Sequence, residues 1–212
     1  MNTPLEHGSR DASLRPPEAG ATPLTFPSRP RNGGNLLTAP PKFGQWLYEP
    51  KYCSDWRALV HVPTGRMWNR RGERISIEVD FQEARTELLH RCPLEWLDCL
   101  AMGRRLNTLG RGCLSVLDAP QDGRIFADRK HTLLGLFDTL PLTPPARDFP
   151  RLSVPPLVAG SPAVWAELQA VNQALGFPFY EGLVAKRADS LYPLQLDNPE
   201  KEFAGWMKHR FG

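Results

Sequence analysis

The amino-acid sequence predicts an α+β fold with mostly antiparallel sheets and flanking helices. Short apolar segments of strand length come in runs: "WRALVHV" with "RMWNR", "WLDCLAM" with "CLSVLDA", and "GLVAKR" with "WMKHR". Segments with helical spacing lie between those runs. Strands in runs, with helices between, favour antiparallel pairing over the strict alternation that builds a parallel sheet.

Taken in order, residues 1–40 hold "PPEAG", "ATPLTFPSRPRNGGN" and "TAPP", rich in Pro, Gly, Ser and Thr. They carry too few apolar residues in any period to bury a face, so a flexible Pro/Gly-rich leader is expected, with the folded domain over residues 41–212. "WRALVHV" and "RMWNR" read as neighbouring strands joined at "PTG", whose proline and glycine suit a tight turn. "DFQEARTELLHRC" places Phe81, Ala84, Leu88 and Leu89 at helical spacing and stops before Pro93. "WLDCLAM", "CLSVLDA" and "TLLGLFDTL" follow as three strand candidates. The Pro-rich stretch from Pro141 to Pro162 reads as an ordered excursion or a surface loop. A helix is then expected with Ser161 as N-cap, Pro162 at its first position, Gly176 just past its end, and one stripe of Val164, Leu168, Val171 and Leu175. "GLVAKR" and "WMKHR" are the last two strands.

Composition bounds the class. The chain has 212 residues, long enough to bury a core, and its 41% hydrophobic and 23% charged content is ordinary for a globular domain. A net charge of +3 permits a phosphate-bearing partner without demanding one. The four cysteines form no CxxC pair and lack the histidine spacing of a zinc site, so reduced thiols and a cytoplasmic setting are expected. No apolar run approaches the ~20 residues that cross a bilayer, and the amino terminus has no basic-then-apolar signal pattern; no membrane partner is expected.

One lysine stands out by its company. Lys51 lies in "YEPKYCSDWRALV", just ahead of a strand. An isolated lysine is most often a solvated charge, and it becomes a nucleophile only when burial or neighbouring cations favour the free amine. Arg57, Arg70, Asp98, Phe137, Glu181, Lys186 and Lys208 recur downstream on strand-like segments. Carboxylates and further lysines are the residue types that hold a divalent metal and a triphosphate. Each also has a plain structural reading: Phe137 as core, Glu181 as a surface charge, Asp98 as a turn cap, Arg57 as a side chain lying along a strand edge.

Jointly, these segments resemble the ATP-dependent DNA ligases and related RNA ligases and capping enzymes, which act through a covalent lysyl-AMP. "EPKYCSDWRALV" is similar to their KxDGxR motif and "WNRRG" to SRxG. "WLDCLAM" is similar to (F/Y)DGE, "LLGLFDTL" to the aromatic strand motif, "YEGLVAKR" to EGxxxK and "WMKHR" to WxKxK, in family order from about Trp46 to Arg210. The resemblance implies a ligase-type nucleotidyltransferase (ATP-grasp-like) core that uses ATP with Mg²⁺ or Mn²⁺. Lys51 would take AMP, Arg57 and Arg70 would touch ribose or phosphates, and Phe137 would stack on adenine near Tyr48 and Glu49. Glu181 would bind metal, with Asp98 as a substitute carboxylate, and Lys186 and Lys208 would stabilise charge on the transferred phosphate. The implied partner is nicked DNA, with RNA as an alternative.

Two departures set further expectations. "CSD" replaces the Asp-Gly that follows the family lysine: either Cys53 and Ser54 fill those slots with Asp55 inserted, or Asp55 is the displaced acid. Leu100 stands where the third motif has a carboxylate, and leucine can neither bind metal nor accept from ribose. The chain ends four residues after Lys208, so no OB-fold domain is expected within it, and the resemblance implies a protein partner supplying that clamp. A nucleotide- or nucleic-acid-binding relative without turnover is the alternative function.

Overall fold

A computed structural model describes residues 29–35, 45–53, 56–75, 78–102, 109–120, 123–193 and 201–211. The expected α+β class is what it shows: two sheets, largely antiparallel, with three α-helices among the described residues. In chain order the elements are β1 Arg29–Asn32, β2 Trp46–Tyr52, β3 Trp56–His61, β4 Arg66–Asn69, α1 Gln82–Arg91, β5 Trp96–Met102 and β6 Cys113–Asp118. There follow α2 Phe126–Leu136, β7 Leu152–Ser153, α3 Pro162–Leu175, β8 Tyr180–Arg187 and β9 Glu202–Arg210. One sheet has the order β1-β9-β8-β2 and the other β4-β3-β5-β6-β7. The pairs β1·β9 and β6·β7 are parallel and the other strand pairs antiparallel.

Each sheet buries one face under helices and turns the other toward its partner sheet. Ala58 and Val60 of β3, Leu97 and Cys99 of β5, and Leu114 and Val116 of β6 pack with Ala84 and Leu88 of α1 and Leu133 of α2. Under the four-stranded sheet, Trp165, Leu168 and Val171 of α3 meet Tyr52, Tyr180 and Leu183. α3 has the expected ends: the Ser161 hydroxyl accepts from Val164 N at 3.4 Å, and Gly176 closes the helix at φ 73°. No helix among the described residues is long and apolar enough to cross a membrane.

The structure departs from the expected elements in four places, the first being β2, which carries Lys51 on a strand rather than ahead of one. Arg29–Asn32, inside the stretch expected to be a leader, forms β1 along the edge of β9, tied by Arg29 N to Lys201 O at 2.9 Å and Gly33 N to Lys208 O at 3.0 Å. Backbone pairing holds it, so its polar composition gave no strand signal. Within the Pro-rich excursion, Leu152–Ser153 adds a short parallel strand to β6. "TLLGLFDTL" is no strand: its first half completes α2, whose buried face is Phe126, Arg129, Lys130 and Leu133, the helical i, i+3, i+4, i+7 set with two charges in it.

Candidate active site

The open faces of the two sheets enclose a cleft of about 650 Å³, a size suited to a nucleotide. Strand alternation decides what lines it. Glu49 and Lys51 of β2, Lys186 of β8, and Trp206, Lys208 and Arg210 of β9 line one wall. Opposite stand Arg57 of β3, Leu100 of β5 and Leu117 of β6, with Arg70 and Arg74 from the turn after β4. That turn explains "NRRG": Asn69 Oδ1 accepts from Arg71 N at 2.8 Å and Glu73 N at 3.1 Å, and Gly72 takes φ 83°.

Two register shifts aim the working groups. Between Lys51 and Tyr52 the β2·β8 pairing skips Glu181, so Glu181 is an extra bulged residue beside Lys51. The Lys51 ammonium donates to Glu181 Oε1, and Arg210 Nε donates to Oε2 at 2.8 Å. Gly182 makes this possible. At its φ of 140°, a Cβ would lie 1.9 Å from His209 O, so the strands close only over a glycine. The second shift skips Leu117 between β6 and β5, and the Leu117 carbonyl accepts from Lys186 Nζ at 2.9 Å.

Lys186 is held from several sides. Its Nζ also donates to Glu49 Oε2 at 2.8 Å and lies 4.6 Å from the Phe126 ring centroid and 5.1 Å from that of Trp206. Lys130 Nζ donates to Glu49 Oε1 at 2.5 Å and to Pro155 O at 2.6 Å, so one buried carboxylate bridges two lysines. Burial pulls the Lys130 ammonium down from the ordinary lysine range, against the pull of Glu49. Arg57 grips Asp98 through Nε at 2.8 Å and Nη2 at 2.5 Å, while the Tyr192 hydroxyl donates to Asp98 Oδ2 at 3.0 Å. Burial alone would lower the Arg57 guanidinium, but the Asp98 carboxylate more than reverses this and the net direction is up. Lys208 is lowered by burial first and by the charges of Arg29 and Arg210 next.

Of the residues expected from sequence, Glu49, Lys51, Arg57, Arg70, Lys186 and Lys208 line this one cleft. Five of the expected residues sit differently from their expected roles. Phe137 sits at the C-cap of α2, 4% exposed in the core under the five-stranded sheet, and does not line the cleft. Tyr48 lies on the opposite face of β2 from Lys51, against the α3 cluster, with its ring where a Cβ on Gly160 would fall. Glu49 is 2% exposed and clasped by two lysines rather than open to adenine. Asp98 is closed off by Arg57 and Tyr192, and Glu181 by Lys51 and Arg210. No group of three Asp, Glu, His or Cys side chains among the described residues could hold a metal. Among the described residues, the two carboxylates expected to hold Mg²⁺ or Mn²⁺, Asp98 and Glu181, are each engaged by cations. Ser54 and Asp55, which would settle the altered loop after Lys51, lie outside the described residues.

Sequence reasoning missed Arg29, Arg74, Lys130, Trp206 and Arg210. The alternation of "WMKHR" puts Arg210 and Trp206 on the Lys208 face and could have found both. Lys130 carried no such signal, because a charge at a core position looks like a surface position in a hydropathy pattern.

No family model and no curated protein matches the chain. Solved structures do. The ligase domain of LigD from M. tuberculosis is 22% identical with a TM-score of 0.57, over 88% of this chain and 59% of that one. A mycobacterial DNA ligase D complexed with ATP and MES is 24% identical with a TM-score of 0.56, over 88% and 60%. The Chlorella virus DNA ligase-adenylate is 14% identical with a TM-score of 0.55, over 89% and 69%. The chain thus spans about 60% of the length of the two mycobacterial ligase chains. At these identities the likeness establishes the fold, that of a ligase nucleotidyltransferase domain.

Proposed function

We propose that the chain is a nucleotidyltransferase of the DNA-ligase type, which takes AMP from ATP onto Lys51 and passes it to the 5′-phosphate of a nick. The carrying observation is the Lys51 amine held against Glu181 in a cleft whose other lining cations, Lys186, Lys208 and Arg70 among them, suit a triphosphate. Glu49 is the one carboxylate lining that cleft among the described residues, and two lysines offset it. The ligase fold and the ATP complex of a structural neighbour support the same reading.

In this reaction the Lys51 proton passes to Glu181, the carboxylate in contact with it, or through it to water. The freed lone pair forms a P–N bond at the α-phosphorus. The bond to the bridging oxygen breaks, and pyrophosphate leaves with the electron pair. Lys186 and Lys208 act on the charge that grows during this step, where a pre-oriented cation contributes about 10²–10³ in rate. A 5′-phosphate oxygen then attacks the same phosphorus, the P–N bond breaks, and the amine recovers a proton. Attack of a 3′-hydroxyl on the activated 5′-phosphate expels AMP and seals the strand.

A second reading, a nucleotide-binding relative without turnover, is favoured by the aliphatic pair Leu100 and Leu117 on the wall facing the lysines. One experiment separates the two. Protein incubated with α-labelled ATP and magnesium, then denatured, retains label in the wild type and none in Lys51→Ala. A chase with 5′-phosphorylated nicked DNA, against nicked RNA, strips that label and selects the acceptor. An unlabelled wild type that still binds ATP supports the second reading.

A further inference from the structure

Lys130 is a buried cation that no step above uses. It is 1% exposed on α2 and does not line the cleft, yet its ammonium is bonded to Glu49, the same carboxylate that holds Lys186. The three groups form a chain running from the helix layer to the cleft: Lys130, Glu49, Lys186. A lone Glu49–Lys186 pair would be neutral, and the carboxylate would cancel much of the field that Lys186 presents to a bound phosphate. A second lysine on the far oxygen of Glu49 leaves the set with one net positive charge. Pro155 O, accepting from Lys130 at 2.6 Å, and Leu117 O, accepting from Lys186 at 2.9 Å, hold the two ends apart.

We infer that Lys130 is a positioning residue that neutralises Glu49 from behind, so that Lys186 stays oriented by that carboxylate while its charge remains available to phosphate oxygens in the cleft. This rests on the reading of the cleft as a triphosphate site. It assigns Glu49 a role different from base contact: the carboxylate aims Lys186, and Lys130 removes the electrostatic penalty of doing so.

Three substitutions make opposite demands, which a purely structural role does not. Binding of inorganic tripolyphosphate is measured by titration calorimetry, with folding of each variant checked by its thermal melt and affinities scaled to the folded fraction. Lys130→Met should weaken binding roughly tenfold, because Glu49 then acts against Lys186 alone. Glu49→Gln should tighten it by about threefold, since the counter-charge is gone while an amide oxygen can still accept from Lys186. The double variant E49Q/K130M should return close to the wild type, and Lys130→Arg should retain most of the affinity. Label transfer from α-labelled ATP is followed in the same set. A wild type that takes no label while the binding series holds sinks the proposed reaction and leaves the role of Lys130 standing. Losses that add in the double variant, or weaker binding by Glu49→Gln, overturn the inference on Lys130.

Discussion

The two walls of the cleft are built to different tolerances. On the four-stranded sheet, β2, β8 and β9 each bring one lysine inward, and the backbone leaves little freedom in how they do so: the Glu181 bulge aims a carboxylate at Lys51, and Gly182 fits only because it has no Cβ to meet His209 O. The facing wall keeps Arg57, fixed by Asp98, and Arg70 and Arg74 of the turn after β4, while its strands otherwise offer Trp56, Leu100 and Leu117. Placing charge beside a phosphate needs fixed ammonium groups, because a cation's effect falls off with distance and with water between. Covering a base needs only apolar area, which leucine supplies as well as a ring does, apart from stacking. The polar wall therefore carries the case for chemistry, and the apolar wall sets how well a nucleoside is held.

Substitutions on the two walls should differ in kind as well as size. After the complete loss of label in Lys51→Ala, the largest effect is expected from Lys186→Ala, which removes a cation anchored on Glu49 and Leu117 O: label transfer should fall about 10²–10³-fold with a smaller change in ATP affinity. Gly182→Ala should come next, in stability. The added Cβ would overlap His209 O and the φ of 140° is strained for alanine, so roughly 3 kcal/mol or more should be lost in denaturant unfolding. On the apolar wall, Leu117→Phe should tighten ATP binding by roughly 1 kcal/mol if a base rests there, with the transfer rate little changed. A drop in transfer rate without a change in binding would break the division between the walls.

The smallest effect concerns the edge strand that completes the polar wall. His209 is buried at the seam where Gly33 packs on its ring and Gly34 O meets Nδ1 at 3.2 Å. Burial holds its imidazole below the ordinary value of about 6.5. The unfolded chain then binds the proton more readily than the folded one. Stability from this group is complete above about pH 6.5 and is lost as pH falls through the lower folded value. Melting temperature should drop between pH 7.5 and pH 5.5, and His209→Gln should flatten part of that slope. His61, also lowered by burial, accounts for part of the remainder.

Where local chemistry and tertiary role coincide, the sequence was a good guide. Ser161, Pro162 and Gly176 mark the ends of α3 because capping is a local matter, and the alternation of "WLDCLAM" and "YEGLVAKR" fixes which residues face the cleft. What escaped was set by distant partners. β1 is held by pairing with β9, 170 or more residues away along the chain, and has no apolar pattern of its own. α2 hid its period because Arg129 and Lys130 occupy core positions, each stabilised by a carboxylate on another element, Asp118 and Glu49. Phe137 looked like a base platform because an aromatic in a short apolar run reads equally as strand or helix end.

The chemistry proposed for the cleft requires that one amine, Lys51, become covalently adenylylated. Digestion of protein reacted with α-labelled ATP and magnesium, followed by mass mapping of the peptides, tests it directly. A single adenylylated peptide containing Lys51 is expected, with no modified peptide in Lys51→Arg. Unmodified peptides throughout, or the adenylyl group on a different residue, would contradict it.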